Sequence, residues 1–392
     1  MPTATSRGIP AQTPTRGARL SQLTLDGTLL AARFAIGGRK LRKTSAFGSH
    51  GAITSVNCRS AVSPSNEPPR SAFRMSIQLA VLMLVINARI AGAQINGALF
   101  LLVPIGARAV GQGEAVVADT SLGTEGMWWN AAALARSSKT ELAIHHAQTA
   151  FATSDMVTVA IPSRQLGTLA ASAYLVNYGD LPVTVSNGDV AVGTSSNRNY
   201  LFAVAYASPV GSRFSAGLTY KLVVLRLTCT GVCGSVNVLS GSTQAFDAGV
   251  QYRVPGQVPF TVGASVRNIG PALQLKDKDQ QDDLPLTVQV GAKLRAPVQS
   301  LAASGVTVDL SADMIQSAAF GGASGGIGVV FGFRDVIFFR GGYRVQPGDG
   351  GGPSVVLGLE RGGFALDFAR RFDGLSAQLG QSPTYISLRA RF

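Results

Sequence analysis

The sequence predicts an all-β chain: a closed antiparallel transmembrane β-barrel of about 14 strands, preceded by a short N-terminal plug segment that contains helix. Three observations carry this. From about Lys139 onward, apolar and polar residues alternate in segments of roughly 9–13 residues. Tilted strands need about 9–11 residues to cross a bilayer, whereas globular sheets use about 5–6. Short links alternate with long ones, as in barrels with tight turns on one side of the membrane and loops on the other. The chain ends on an aromatic residue at the close of an amphipathic strand.

Composition points the same way. The 392 residues are 46% apolar and 14% charged, with 46 glycines. That is too apolar for disorder and too glycine-rich for a helical bundle. The net charge of +13 is concentrated at the start: residues 1–74 hold 11 basic and 2 acidic residues, while from Gln94 onward 22 basic face 19 acidic ones. A nearly neutral folded part lacks the basic surface of a nucleic-acid binder.

Around Met75 the chain reads RSAFRMSIQLAVLMLVINARIAGAQ. Arg70 and Arg74 precede an apolar run at 77–86, and Ala91-Gly92-Ala93 follows before Gln94. A basic flank, a short apolar centre and a small-x-small exit make a secretory signal peptide over 75–93. The run is too short for a spanning helix. Residues 1–74 then read as a disordered extension ahead of a misassigned start, with a basic transit peptide as the alternative. On either reading Cys58 is absent from the mature chain.

The plug segment covers 94–138 and the barrel 139–392. Within the barrel, FDAGVQYRV sets Phe246, Ala248 and Val250 against Asp247, Gly249 and Gln251. LTVQVGAKLR sets Leu286, Val288 and Val290 against Thr287, Gln289 and Gly291, and VTVDLSADM places Leu310 and Met314 opposite Asp309 and Asp313. Successive strand side chains point to opposite faces, so each segment has one apolar face for lipid and one polar face for the lumen. Short links fall at 163–166, 209–212, 255–259, 334–335 and 361–362. Long ones fall at 178–198, 229–242, 269–283, 317–324, 346–353 and 373–382. With 181–186 counted as loop, the strands number 14, an even count that puts both barrel ends on the short-turn side. Closure is required because lipid satisfies no backbone polar group.

Residues 100–136, FLLVPIGARAVGQGEAVVADTSLGTEGMWWNAAALAR, do not alternate. Gly106, Ala107, Arg108, Ala109, Gly111, Gly113 and Ala115, then Ala118 and Asp119, then Trp129, Asn130, Ala132, Leu134 and Ala135 resemble the PorV/PorQ family of outer-membrane proteins, which are similar in fold to the fatty-acid transporter FadL. The segments ASAYLVNYGDLPVT, RFSAGLTYK, VRNIGP and DLPLTVQVGAKLR extend the resemblance over 100–392. It implies a hatch at the barrel mouth or within the lumen, with Asp119, Trp128, Trp129 and Asn130 as hatch or gating candidates. Thr120, Ala131 and Ala133 depart from the family pattern, and losing a Pro and a Gly there lets the helix start earlier. Asn130 reads equally as a helix cap, and the two tryptophans as interfacial aromatics. The terminal Phe392 resembles the signal read by the barrel assembly machinery.

The resemblance implies a bacterial outer-membrane location and two functions. One is a non-enzymatic accessory of type IX-like secretion that binds cargo proteins; the alternative is a FadL-like channel for long-chain fatty acids or other hydrophobic small molecules. A kinked or open wall with an apolar pocket near the hatch favours uptake, and a closed wall with long outer loops favours cargo. No catalytic residues, cofactor or metal are assigned. His145 and His146 face opposite ways on a strand, and GGASGG and GDGGGP lack a following helix. Cys229 and Cys233 are expected to form a disulfide in an oxidising compartment. KDKDQQDD at 276–283 reads as a solvated loop, with calcium as a weak alternative. On the polar face Lys221, Arg253, Arg267, Lys293, Arg295, Arg340, Arg344, Arg371, Arg389 and Arg391, with Asp247, Asp309, Asp313, Glu360 and Asp367, read for the most part as charge balancing of a wet wall, with cross-strand pairs in a partly filled interior as the alternative.

Overall fold

The computed structural model describes residues 97–184, 190–233, 238–275, 281–320, 322–347 and 350–392. The extension at 1–74, the signal peptide at 75–93 and the first part of the KDKDQQDD stretch lie outside the described residues. The strands are β1 (Glu141–Gln148), β2 (Thr153–Ser163), β3 (Gly167–Thr184), β4 (Ala191–Val210), β5 (Phe214–Gly231), β6 (Val238–Val254), β7 (Phe260–Ile269), β8 (Leu273–Gln274) and β9 (Gln281–Asp282). They continue with β10 (Thr287–Arg295), β11 (Val306–Ser317), β12 (Ser324–Phe333), β13 (Ile337–Val345), β14 (Gly352–Arg361), β15 (Phe364–Arg371) and β16 (Thr384–Arg391). Fourteen of them form a closed barrel, and β8 with β9 makes a separate two-stranded sheet in the link between β7 and β10. The ring closes where β1 pairs antiparallel with β16, from Glu141 opposite Arg391 to Gln148 opposite Thr384.

Alternation dictates the two faces. In β1, Leu142 and Ile144 are exposed while Ala143, His145 and Ala147 are buried in the lumen. Neighbouring Ile386, Leu388, Leu366 and Phe368 continue the exposed apolar surface, and Phe246 (51% exposed) and Leu310 (44%) carry it to other strands. Apolar outside and polar inside is the arrangement of a membrane-crossing barrel. Val288 differs from expectation: it is buried at 7%, between Val266 and Gln316, where β10 emerges from the link that follows β7 and both faces of the sheet are covered.

Two expected loops are strand instead. Most of 178–198 and 229–242 belongs to β3, β4, β5 and β6, whose lengths are 18, 20, 18 and 17 residues. Leu181, expected in a loop, pairs with Ser195 after a register shift between Asn177 and Asp180. The reason is physical: beyond the hydrocarbon both faces of a strand meet water, so the period-two apolar signal stops although the hydrogen-bond ladder continues. The rhythm of links also has exceptions. The β1–β2 turn is short on the loop side, and the β10–β11 link on the turn side contains a helix, Gln299–Ala303.

Candidate functional site

Residues 97–140 run through the lumen. The Gly97 amide donates to the Asp283 carbonyl at 2.9 Å, on the loop side of the barrel. A strap with a 3-10 turn (Leu99–Leu102) then leads inward to a helix (Ala107–Gly111), a 3-10 turn (Gly123–Glu125), a second helix (Gly126–Trp129) and a 3-10 helix (Ala131–Arg136) before β1 begins. Ala107, Ala109, Val116, Val117, Leu122, Ala132, Ala133 and Leu134 are completely or almost completely buried. This is a hatch held inside the barrel, and the wall is cut to receive it. A Cβ on Gly249 of β6 would lie 2.0 Å from the Asn130 Oδ1, and one on Gly217 of β5 would lie 2.5 Å from the Ala131 carbonyl carbon. Any side chain at either place would displace the hatch.

Polar contacts fix the hatch at a single position. Arg108 donates to Asp367 (3.2 Å), Glu360 (3.0 Å) and the Ser121 carbonyl (3.1 Å). Asp367 also pairs with Arg340 at 2.8 Å and with Arg389. Thr124 donates to Glu141 through both its amide and its hydroxyl. The Glu125 carboxylate accepts from the Ala109 amide at 3.2 Å. Burial pushes the Glu125 carboxyl up to about 7, against the pull of Arg389 and Arg108.

Of the candidates, Asp119 lies 2.8 Å from the Lys293 Nζ and accepts from the Ser121 amide and hydroxyl. Burial opposes its ionisation, but the Lys293 ammonium and the two Ser121 hydrogen bonds together outweigh this and hold the carboxyl below the usual range. Asn130 is in extended backbone and caps the 3-10 helix by accepting from the Ala132 amide. Its amide nitrogen donates to the Val117 carbonyl at 2.7 Å and to the Val250 carbonyl at 3.0 Å. The cap keeps the break between Trp129 and Ala131, so the helix does not start earlier despite the missing Pro and Gly. Trp128 and Trp129 are buried in the lumen, which corrects the interfacial reading. Trp129 donates to the Ile105 carbonyl, and Trp128 packs on Tyr174 with ring centres 5.6 Å apart. Cys229 and Cys233 are disulfide-bonded at the loop-side end of β5, with Cα atoms 5.9 Å apart. Phe392 is exposed, its amide donating to the Thr140 carbonyl.

On the loop side of the hatch lies a cavity of about 350 Å³. The strap residues Leu101, Leu102 and Val103 line it, as do both tryptophans and the basic side chains of Lys221, Arg267, Arg344 and Arg371. Three of these cations are matched: Lys221 pairs with Asp247 at 2.6 Å, and Arg344 and Arg371 share Glu114. Arg267 donates to the Gln289 Oε1 (3.0 Å) and the Trp128 carbonyl (3.2 Å) and lies over the Trp129 ring at 5.0 Å. Among the described residues it has no ion pair, and its Nε has no hydrogen-bond partner. These four cations come from β5, β7, β13 and β15, so no spacing within one strand reveals that they converge. Among the described residues no group of three or more His, Cys, Asp or Glu is gathered as a metal site.

No protein-family profile matches the chain, and no curated protein does. Solved structures do. The Ralstonia pickettii toluene transporter TbuX superposes with a TM-score of 0.53 at 12% identity, covering 75% of this chain and 100% of that one. The monoaromatic hydrocarbon channel CymD gives 0.49 at 12% identity, covering 74% and 98%. A Pseudomonas aeruginosa FadL homologue gives 0.44 at 12% identity, covering 74% and 98%. The likeness to TbuX assigns the fold, a closed antiparallel β-barrel, and at 12% identity it assigns the fold alone.

Proposed function

We propose that this chain is an outer-membrane uptake channel for small hydrophobic molecules, with a preference for those that end in an anionic group. The observation that carries the reading is the lumenal cavity itself, which sets the apolar strap against Arg267, a guanidinium in direct ion contact with no carboxylate among the described residues although Asp247, Glu114 and Asp313 lie near it. An apolar body removed from water gains about 25 cal/mol per Å², and a charge-assisted hydrogen bond to Arg267 orients the head group. TbuX and CymD carry neutral aromatics by name; the basic wall here supports a different selectivity. The test is uptake of radiolabelled dodecanoate and dodecanol by host cells lacking their own transporter. The wild-type chain is expected to raise dodecanoate uptake at least tenfold over the empty host. Arg267→Gln is expected to abolish its advantage over dodecanol. Equal uptake with and without the chain would refute the reading.

One observation favours the secretion alternative: among the described residues the ladder runs unbroken round the ring, with register shifts only between β3 and β4 and between β6 and β7, and β3–β6 project on the loop side. A closed wall with a projecting sheet suits docking of secreted cargo. A pull-down from solubilised outer membranes separates the two, since co-purified secreted protein supports cargo handling and bound lipid alone supports uptake. In either role Phe392 is the residue we assign to recognition by the barrel assembly machinery.

A further inference from the structure

Beside the projecting strands β3–β6 the barrel wall drops steeply at β2. β2 begins at Thr153, opposite Asn177 of β3, yet β3 runs on to Thr184. Seven residues at 3.3 Å each make an overhang of about 23 Å. The turn between β1 and β2 spans only 149–152. On the outer surface just below this turn, His146 and Asp155 form an exposed polar pair, hydrogen-bonded at 2.7 Å. Such a pair does not belong in hydrocarbon, so the β1–β2 rim lies at the edge of the apolar girdle.

Three exposed apolar side chains line the cavity on the loop side. Phe151 comes from the β1–β2 turn, Leu99 from the strap, and Leu375 from the helix Gly374–Gln378 that follows β15. All three are exposed to the surroundings and all three line the lumenal cavity. Single exposed apolar residues need no explanation. Three from separate connections that line one cavity, together with Leu102 and Val103, give it an apolar side that is also exposed to the surroundings. The Arg267 guanidinium, whose Nε has no hydrogen-bond partner among the described residues, identifies what fits inside: a molecule with an apolar body and an end that accepts hydrogen bonds, for which an anionic group is the strongest choice.

We propose that Phe151, Leu99 and Leu375 form the port through which such an amphiphile crosses the low β1–β2 rim into the lumen. The proposal rests on the uptake reading and adds the place of admission. The test introduces Phe151→Cys or Leu375→Cys into the full chain, whose Cys229 and Cys233 are already bonded to each other. Cells are treated with a bulky, membrane-impermeant methanethiosulfonate, and the initial rate of tritiated dodecanoate uptake is measured before and after. Labelling at either port position is expected to cut the rate at least fivefold. The same labelling at Leu181→Cys, on the exposed overhang of β3, is expected to leave the rate unchanged. Should one port variant fail to reach the membrane, Leu99→Cys takes its place. Complete labelling at the port with unchanged uptake would overturn the port while leaving the uptake reading intact, as would equal loss at Leu181. Absence of dodecanoate uptake by unlabelled wild-type cells would overturn both.

Discussion

The hatch meets the two sides of its barrel in different ways. Toward β13–β16 it is held by charge: Arg108 reaches Asp367 and Glu360, and Asp367 gathers Arg340 and Arg389 as well. Toward β4–β6 it is held, among the described residues, without ion pairs, the 3-10 helix Ala131–Arg136 resting backbone against backbone on Gly217, Asn130 seated in the gap left by Gly249, and Thr219 and Gln251 donating to hatch carbonyls. The charged side fixes orientation, because a buried guanidinium misplaced by one residue leaves its carboxylates unpaired. The bare side fixes distance, because nothing but glycine leaves room. Together they make the hatch a part of the fold, with the cavity above it as the space that remains.

The largest effect is expected on the charged side. Asp367→Asn leaves Arg108, Arg340 and Arg389 buried around a neutral amide, and removing one partner of a buried ion pair costs about 3–5 kcal/mol. Loss of heat-modifiable mobility and faster proteolysis of the hatch check this.

Next comes pH. The Glu125 carboxyl is raised in the folded hatch from 4.5 to about 7, so the folded state binds the proton more tightly than the unfolded one. Glu125's own contribution is therefore fully present below about pH 4.5, falls by up to about 3 kcal/mol as pH rises through 7 and changes no further above it, while the depressed Asp119 carboxyl acts in the opposite sense in acid. Glu125→Gln is expected to remove that slope in hydrogen-exchange protection of the hatch amides.

The bare side gives the smallest effect. Gly217→Ala adds one methyl group against backbone and is expected to cost about 1–3 kcal/mol by overpacking, read as a lower unfolding midpoint without any change in salt dependence. A Gly217→Ala effect larger than that of Asp367→Asn would reverse the ranking of the two sides.

How far the sequence reveals this depends on which physical signal a feature leaves. The barrel is legible because Phe246, Leu310 and Ile386 must face lipid, and the requirement writes a period of two into β6, β11 and β16. The projecting ends of β3–β6 are not legible, since Asp180 and Ser196 face water whichever way they point. The hatch shows itself by the absence of alternation in 100–136 and by the Asn130 cap. The cavity does not: Lys221, Arg267, Arg344 and Arg371 are spread over some 150 residues, and their convergence depends on closure of the ring. The slot at Gly249 likewise has meaning only once Asn130 is known to lie against it.

The most direct measurement is anomalous diffraction from crystals soaked in 12-bromododecanoate. The carboxylate is expected at Arg267, with the bromine peak in the lumen between the strap and the port residues Phe151 and Leu375. Bromine found only on the outer girdle, with the cavity unaltered, would contradict a channel that takes amphiphiles into its lumen.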